Sequence, residues 1–320
     1  MTPRVVVLAT GGTIAGTAAS PRDDLAYRAA VLPVGDLLGA MTPPPGLDVE
    51  AEQVAQIDSK DMDLDRWLTL ARRARFHLAR PEVHGLVVTH GTDTLEETAW
   101  FLQRTLAPAK ALVLSAAMRP ANSPDADGPR NLADAMRVAA DGSWHGVVAV
   151  MAGRVHGARG LRKLHPFRLD AFDSGDDGPL GRIDDGRALR QRDTPLALPA
   201  LAALIDWPAG RWPRVAMISS HAGADGDLVR LAAEAGYRGL VVVGTGHATV
   251  HESLELALDA ARASGIEVWS ATRCTASDGV GSLPGSHDAG WFTPAQARVE
   301  LLLRLAAADA AAAGAARQAP

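Results

Sequence analysis

Two threonine-bearing turns carry the residue types in this chain that are best suited to nucleophilic chemistry. The first is Leu-Ala-Thr-Gly-Gly-Thr-Ile-Ala-Gly at 8–16, and the second is Thr-His-Gly-Thr-Asp-Thr at 89–94. Each follows a short apolar run, 5–9 or 86–88, that is typical of a buried strand. In open α/β sheets, ligands bind where parallel strands end. Hydroxyl groups beside the carboxylate of Asp93 therefore indicate a nucleophile site.

The first turn is weak evidence when it stands alone. A threonine hydroxyl is a poor nucleophile until a neighbouring group removes its proton. Because Gly and Thr are common in ordinary turns, Thr10 and Thr13 are also compatible with plain turn chemistry. A phosphate-binding loop is a third interpretation, but its Gly-Lys-Ser/Thr ending and the G-x-G-x-x-G pattern are missing from the sequence.

The second turn is more specific. Residues 94–97, Thr-Leu-Glu-Glu, have the capping-box pattern, which predicts a helix that begins near Leu95. Thr92 and Asp93 then lie just before a helix N-terminus, where backbone N–H groups favour negative charge and can hold an oxyanion. Asp93 is compatible either with support of the helix start or with binding of a substrate ammonium.

Strand-like and helix-like segments alternate along the chain, which predicts βαβ units around a mainly parallel sheet. The N-terminal series has predicted strands at 5–9, 49–54, 86–88, 111–114 and 147–151, with helices at 64–78, 95–106 and 129–140. Residues 176–192 are rich in Gly, Asp and Arg and are predicted to form turns. The next segment has prolines at 195, 199, 208 and 213 and no clear strand pattern, which favours an interdomain linker.

A second βα series follows the linker. Its predicted strands are 215–218, 240–243 and 266–269, with helices near 228–235 and 254–263 and a last helix at 294–308 behind Thr293 as N-cap. The Ala-rich residues 306–316 are expected to form a helix that frays into a tail. The predicted fold is α/β with a larger N-terminal, mainly parallel sheet flanked by helices and a smaller C-terminal α/β domain. The predicted bounds are 1–192 for the catalytic domain, 193–213 for the linker and 214–320 for the C-terminal domain.

Composition excludes several classes of function. A 320-residue chain with 47% hydrophobic and 22% charged residues can bury a sizeable core, and its net charge of −5 argues against a nucleic-acid surface. Because no apolar stretch reaches the length of a membrane span, no membrane partner is expected. The single cysteine, Cys274, excludes an internal disulfide and fits a reducing compartment. With no apolar signal segment at the N-terminus, we expect a cytoplasmic protein.

Taken together, the two turns closely resemble the signatures of bacterial-type L-asparaginases and related glutaminase-asparaginases. Three further segments match that family in order and spacing: Gln-Ile-Asp-Ser-Lys-Asp-Met at 56–62, Ala-Ala-Met-Arg-Pro at 116–120 and Ala-Asp-Gly-Pro-Arg-Asn-Leu at 126–132. The resemblance covers at least residues 5–165 and continues more weakly to residue 308. It implies an amidohydrolase that converts L-asparagine and water to L-aspartate and ammonia with no metal or organic cofactor.

The resemblance also assigns catalytic roles. Thr13 is expected to attack the side-chain amide carbon and to form a threonyl ester, which water then hydrolyses. Tyr27, on a lid that follows the polar stretch 20–24, is expected to help activate Thr13. Thr92, Asp93 and Lys163 are expected to form a second catalytic group, in which Lys163 holds and tunes the Thr92 hydroxyl. To act as a base, a lysine needs a pKa below its usual value of about 10.4, which burial can cause.

The same resemblance assigns the substrate-binding residues. Ser59 is expected to bind the α-carboxylate, Asp93 the α-ammonium, and the backbone of Ala117 the amide. Lys60 stands where the family usually has a neutral polar residue near the substrate ammonium. Two ammonium groups about 4 Å apart would repel by up to ~4 kcal/mol at a partly screened dielectric. Lys60 is therefore expected to turn towards the α-carboxylate or to pair with an acid at position 58, 61 or 63.

The C-terminal part departs from the family in a second place. The family brings an acidic residue from the neighbouring subunit to the substrate ammonium, but no glutamate occurs between Trp269 and Val299, where the acids are Asp278 and Asp288. The glycine loop of the family is also altered to Gly-Thr-Gly-His-Ala-Thr at 244–249. His247 or Thr249 could supply the missing polar contact, or the loop could be a plain strand-to-helix turn.

Three interpretations of function therefore stay open at this point. The first is hydrolysis of L-asparagine, and the second is hydrolysis of L-glutamine or of a related amide with an absent or modified amine. The third is a non-catalytic amino-acid-binding protein, which has no need of both hydroxyls and the lysine. In each case the expected partner is a small amino-acid amide, with no nucleic acid and no membrane, and the resemblance implies a homodimer or homotetramer.

Overall fold

The computed structural model of the protein describes residues 2–23, 25–193, 198, 200–274 and 285–318. The chain divides into two compact units, Met1–Ile205 and Asp206–Pro320, called here the N-terminal unit and the C-terminal unit. Within the described ranges, no helix is long and apolar enough to cross a membrane. The predicted linker overlaps the boundary between the units. Its residues 194–197 and 199, together with Asp278 and Asp24, lie outside the described residues.

The N-terminal unit alternates strands and helices, as the hydrophobic pattern predicts. In chain order the elements are β1 (Arg4–Gly11), β2 (Thr17–Ala18), β3 (Tyr27–Arg28), α1 (Val34–Gly39), β4 (Asp48–Ile57), α2 (Leu64–Leu78), β5 (Val83–Thr89), α3 (Leu95–Leu106), β6 (Ala111–Ser115), α4 (Gly128–Ala140), β7 (Gly146–Met151), β8 (Arg154–Gly157), β9 (Arg162–Lys163), β10 (Phe172–Asp173), β11 (Gly181–Asp184) and β12 (Arg187–Arg190).

One eight-stranded sheet organises this unit, in the order β12-β11-β8-β7-β6-β5-β1-β4. The strands from β7 to β4 are parallel, whereas β8, β11 and β12 are added in antiparallel fashion at one edge. Since β1 and β5 are parallel neighbours, their carboxyl ends meet at one edge of the sheet. The sheet therefore brings the two threonine turns side by side.

Burial explains why the central strands have continuous apolar runs. The central residues of β1, β5, β6 and β7 have no solvent exposure, as expected for parallel strands that are covered on both faces. On one face, α4 contributes Leu132 and Met136 to a cluster that also contains Val113, Val148 and Trp144. This packed layer gives the site a rigid base.

The C-terminal unit has its own parallel sheet and its own core. Its elements are β13 (Val215–Ser219), α5 (Asp227–Glu234), β14 (Gly239–Gly244), α6 (Glu252–Ala263), β15 (Glu267–Thr272), β16 (His287–Asp288) and α7 (Pro294–Gln318). The sheet order is β13-β14-β15-β16. The oxygen of Thr293 accepts the N–H of Gln296 at 3.1 Å, which confirms Thr293 as the N-cap of α7. The helix runs to Gln318 and so includes the Ala-rich segment, which was predicted to be helical.

The prediction of turns throughout 176–192 is wrong, because β11 and β12 form a hairpin there. Asp184 pairs with Arg187, so the loop has two residues, Asp185 and Gly186. Both have positive φ, 44° and 72°, as a type I′ turn requires. The Asp-Gly pair was a hairpin signal in the sequence, but the charged residues on both sides obscured the strand pattern.

The central strand β6 offers a direct test of the core. Leu112 has no solvent exposure, so Leu112→Ala is expected to lower the free energy of unfolding by about 2–5 kcal/mol through lost burial and a cavity. Leu189→Ala, at an exposed position of the same unit, is the matched control and should change it by less than about 0.5 kcal/mol. Urea unfolding followed by circular dichroism measures both. Equal losses in the two variants would contradict the assigned core.

Candidate active site

Two glycines let the threonine turns pack directly against each other. Gly12 has φ of 83°, a backbone conformation that favours glycine. A Cβ at Gly12 would lie only 2.5 Å from the Cα of Gly91, far inside van der Waals contact. Gly91 in turn packs against Ser59, whose Cβ would lie 2.7 Å from an added Cβ. The glycines of both turns are therefore needed for the close approach of their backbones.

Thr13 lies immediately after this contact, in a single turn of 3-10 helix, Thr13–Ala15. Its side chain is largely buried, and its hydroxyl lies 2.7 Å from the hydroxyl of Tyr27, where either group can donate. Burial raises the pKa of Tyr27; the Thr13 hydrogen bond partly offsets this, and the negative charges of Asp93 and Asp58 add to the rise. The phenol is therefore protonated at neutral pH.

A small hairpin holds Tyr27 in place. Strands β2 and β3 pair through Thr17 with Arg28 and through Ala18 with Tyr27. The side chain of Asn122 clamps this hairpin: its amide oxygen accepts the N–H of Ala18 at 2.9 Å, and its NH₂ donates to the Ala18 carbonyl at 2.8 Å. The sequence had placed Tyr27 on a lid, and Asn122 is the anchor that it did not reveal.

The second predicted group is also assembled. Lys163 Nζ donates to Thr92 Oγ1 at 2.8 Å and to Asp93 Oδ1 at 2.6 Å. The Lys163 side chain is 20% exposed, whereas that of Asp93 is 53% exposed. The lysine is thus held inside the site, while the Asp93 carboxylate reaches the solvent-filled space where a ligand could approach it.

Ser59 and Lys60 lie in a 3-10 turn after β4, Ser59–Asp61, and their surroundings differ sharply. Ser59 is buried, and its hydroxyl accepts the backbone N–H of Asp93 at 3.2 Å. Lys60 is 61% exposed, and its ammonium pairs with Asp61 at 2.6 Å, a hydrogen bond that is the main cause of its raised pKa. Of the pairings expected for Lys60, the structure therefore shows the one with Asp61.

Ala117 lies in a backbone segment, residues 117–119, that the partly buried carboxylate of Asp127 supports. Asp127 accepts the N–H groups of Met118 and Arg119 at 3.0 Å and the side-chain NH₂ of Asn131 at 3.0 Å. Burial raises the pKa of Asp127, and these hydrogen bonds partly offset the rise. The sequence matched residues 126–132 to the family but gave Asp127 no role.

The two hydroxyl systems and the backbone segment at Ala117 line one cavity of about 200 Å³. That volume is smaller than a drug-sized pocket and is suited to a ligand of amino-acid size. Among the described residues that line it, Ser59 and Lys60 do not appear. The lining residues are Thr13, Leu25, Tyr27, Thr92, Asp93, Ala117, Met118, Lys163, Pro166 and Phe167.

A buried network lies beneath the second turn. His90 has no solvent exposure; its Nδ1 donates to the Gly91 carbonyl at 2.7 Å, and its Nε2 accepts from the Thr98 hydroxyl at 3.0 Å. The indole of Trp67 donates to the same hydroxyl at 2.8 Å. Because a carbonyl can only accept, this contact requires a proton on Nδ1. Burial lowers the pKa of His90 to about 4.

Other candidate residues have different partners. Thr10 donates its hydroxyl to the Thr89 carbonyl at 2.8 Å and so links β1 to β5. In the C-terminal unit, the Thr245 and Thr249 hydroxyls lie 3.0 Å apart across a strand-to-helix turn. His247 and Asp288 are exposed. Among the described residues, no three His, Cys, Asp or Glu side chains converge as metal ligands.

The start of α3 differs in detail from its prediction. The helix begins at Leu95, as the capping-box pattern predicts, but the Thr94 hydroxyl donates to the Ser59 carbonyl at 2.8 Å instead of capping the helix. Glu96 does not stay in solvent, because its carboxylate oxygen accepts the backbone N–H of Lys163 at 3.2 Å. The sequence pattern alone does not predict this contact of Glu96.

Models of known protein families match both parts of the chain. A family model described as asparaginase, N-terminal, matches residues 4–195, and one described as glutaminase/asparaginase C-terminal domain matches residues 214–315. A relative named probable L-asparaginase periplasmic, from Haemophilus influenzae, is 35% identical over 95% of this chain and 88% of its own length. L-asparaginase 2 of Escherichia coli is 35% identical over 85% of this chain and 78% of its own length.

A solved structure is similar over nearly the whole length. It is described as a probable cytoplasmic L-asparaginase from Campylobacter jejuni and covers 95% of both chains, with 33% identity and a TM-score of 0.87.

The neutral His90 predicts loss of stability in acid. The unfolded chain has a histidine pKa near 6.5, so it takes up a proton at a higher pH than the folded protein, whose His90 pKa is about 4. The stability from neutral His90 is present above pH 6.5 and falls as the pH drops towards 4, by roughly 2 kcal/mol between pH 7 and pH 5. His90→Gln should lose that part of the pH dependence in urea unfolding. The control His84→Gln, at an exposed site, should keep the wild-type pH dependence. If the free energy of unfolding of His90→Gln fell between pH 7 and pH 5 as steeply as that of the wild type, the assignment of a neutral, buried His90 would be contradicted.

Proposed function

The chain belongs to the asparaginase family, and from that premise we propose that it hydrolyses the side-chain amide of L-asparagine to L-aspartate and ammonia. The observation that carries the proposal is the pair of hydroxyl systems in one cavity, Thr13 with Tyr27 and Thr92 with Lys163. A protein that only binds amino acids needs neither activated hydroxyl. This contrast favours an enzyme over a binding protein.

The first half of the reaction is assigned to Thr13. Its hydroxyl oxygen attacks the amide carbon while its proton passes to the 2.7 Å neighbour, the Tyr27 hydroxyl. Because the phenol is protonated at rest, Tyr27 can accept that proton only as it passes its own proton on. The leaving nitrogen takes up the proton that Tyr27 passes on and departs as ammonia, and the aspartyl group stays on Thr13 as an ester. Thr92 and Asp93 precede the N-terminus of α3, where a developing negative charge is favoured.

The second half removes the ester. Water attacks the ester carbon, the acid is released and the Thr13 hydroxyl is restored. We assign Lys163, Thr92 and Asp93 to this half as well as to substrate positioning, because the ammonium of Lys163 fixes both the Thr92 hydroxyl and one oxygen of Asp93. The group orients the hydroxyl before the substrate arrives, which lowers the entropic cost of reaching the transition state.

The remaining polar groups around the cavity are proposed to recognise the substrate. The half-exposed carboxylate of Asp93 is proposed to bind the α-ammonium, Ser59 the α-carboxylate, and the backbone at Ala117 the amide. Lys60 is paired with Asp61, so its ammonium does not oppose the substrate ammonium. This pairing favours L-asparagine over an amide that lacks the amine.

The setting of the enzyme is also part of the proposal. We propose a cytoplasmic homodimer or homotetramer, in line with the resemblance and with the single cysteine. We further propose residues 1–192 as the catalytic domain and 214–320 as the C-terminal domain, joined by a linker at 193–213. Light scattering after gel filtration measures the oligomeric state, and a monomeric mass would contradict that part of the proposal.

The nucleophile assignment is tested by removing one hydroxyl. Thr13→Ala is expected to lower kcat for L-asparagine by roughly 10⁴-fold or more, because no covalent ester can form. Thr10→Val, in the same turn, removes a hydroxyl that serves structure only and should keep kcat within about tenfold. Ammonia release is measured with L-asparagine, L-glutamine, D-asparagine and succinamate. Wild-type turnover by Thr13→Ala would overturn the mechanism, and faster turnover of succinamate or L-glutamine would overturn the substrate assignment.

The pairing of Lys60 makes a separate prediction. Lys60→Gln should leave KM for L-asparagine within about twofold, since the ammonium already faces Asp61. If Lys60 instead repelled the substrate by ~4 kcal/mol, the same change would lower KM about 1000-fold. Asp61→Asn is the complementary variant, which releases Lys60 and should raise KM by about threefold or more. A large fall in KM for Lys60→Gln would contradict the pairing.

A further inference from the structure

Lys163 depends on a small structure that is separate from the large sheet. It lies on β9, which pairs only with β10 among the described strands, through Phe172 with Lys163 and Asp173 with Arg162. A two-stranded hairpin is at best marginally stable by itself. The position of the Lys163 ammonium therefore requires further contacts that fix this hairpin against the site.

Glu96 supplies such a contact directly at Lys163. Its Oε2 accepts the backbone N–H of Lys163 at 3.2 Å, while the side chain of the same lysine reaches Thr92 at 2.8 Å and Asp93 at 2.6 Å. Residues 92–96 are continuous in sequence and lead into the first turn of α3. One short segment thus binds Lys163 at both its backbone and its ammonium.

We propose that Glu96 is a positioning residue of the active site, which holds the backbone of Lys163 so that the ammonium meets Thr92. The proposal rests on the proposed function and adds a residue to its machinery. Glu96 does not line the cavity, so it acts through Lys163 and does not touch the substrate.

The surroundings of Glu96 agree with a functional placement. A glutamate in the first turn of a helix is ordinarily solvated, and moving its carboxylate out of water costs free energy. Here burial raises the pKa of Glu96 to about 7; the Lys163 N–H and the charge of Arg162 oppose the rise, and the charge of Glu97 adds to it. A carboxyl group offers an acceptor oxygen in either protonation state, so the contact with Lys163 is available on both sides of pH 7.

Four variants separate this role from general stability. Glu96→Gln keeps an acceptor oxygen at the same distance from the backbone, Glu96→Asp withdraws it by one methylene but keeps the charge, and Glu96→Ala removes it. Glu97→Ala is the matched control, because it removes the same residue type from the same helical turn. Initial rates with L-asparagine give kcat and KM, and circular dichroism gives the thermal midpoint.

We expect kcat to fall in the variants that lose the acceptor oxygen near the Lys163 N–H, whether or not they keep the negative charge. Glu96→Ala and Glu96→Asp should lower kcat by about 100-fold, the effect of a displacement near 1 Å, with KM within about threefold. Glu96→Gln should keep kcat within about threefold of wild type, as should Glu97→Ala. The inference is overturned if Glu96→Ala keeps wild-type kcat, or if Glu96→Gln loses as much as Glu96→Ala.

A second measurement does not depend on turnover. Acetic anhydride labelling followed by peptide mass spectrometry compares Lys163 with the internal references Lys60 and Lys110. Release of the hairpin in Glu96→Ala should raise the labelling rate of Lys163 by about threefold or more, because local opening exposes its amine. Unchanged labelling would overturn the inference even if L-asparagine proves not to be the substrate. Failure of the proposed function would instead appear as a wild-type protein that releases no ammonia from L-asparagine.

Discussion

The close contact between Gly12 and Gly91 is the constraint on which the site depends. Both backbones occupy space that a side chain would fill, and Gly12 also has a left-handed φ. The N–H of Gly12 donates to the Ile57 carbonyl at 2.9 Å, and its carbonyl accepts the N–H of Ala30 at 3.0 Å. Gly12 therefore connects four segments: the ends of β1 and β4, the residues just after β3, and the turn after β5. Thr13 and Thr92 face one cavity because these backbones touch.

Around this contact, one buried and two partly buried polar groups hold the proposed reacting side chains in place. Neutral His90 donates to the Gly91 carbonyl, and Asp127 accepts the N–H groups that follow Ala117. Glu96 accepts the backbone N–H of Lys163. Each has a pKa that burial moves away from its ordinary value. Such groups would destabilise the fold if they had no partners, so their hydrogen bonds are a condition of folding as well as of chemistry.

Much of the fold is predictable because local patterns and global packing agree. The α/β order is predictable from the apolar runs of the central strands, the helical periodicity between them and the cap at Thr293. The positions of the threonine turns follow from the parallel pairing of their strands. The hairpin of β11 and β12 was missed because its strands are half-exposed and charged, although Asp185-Gly186 carried the turn signal. The hydrogen bonds of Glu96 and Asp127 beside the candidate site were not predictable for another reason. A glutamate after a cap and an aspartate before a helix are ordinary in sequence, and only the tertiary structure shows what their oxygens bind.

We propose that the two hydroxyl systems differ in role, with Thr13 forming the covalent bond and Thr92 being oriented by Lys163. The most direct measurement is rapid acid quenching of the wild-type protein during turnover of L-asparagine, followed by proteolysis and peptide mass spectrometry. With Thr13 as the nucleophile, an added aspartyl group appears on Thr13 within one turnover and disappears as substrate is consumed. An aspartyl group on Thr92, or steady turnover with no ester on Thr13, would contradict this assignment.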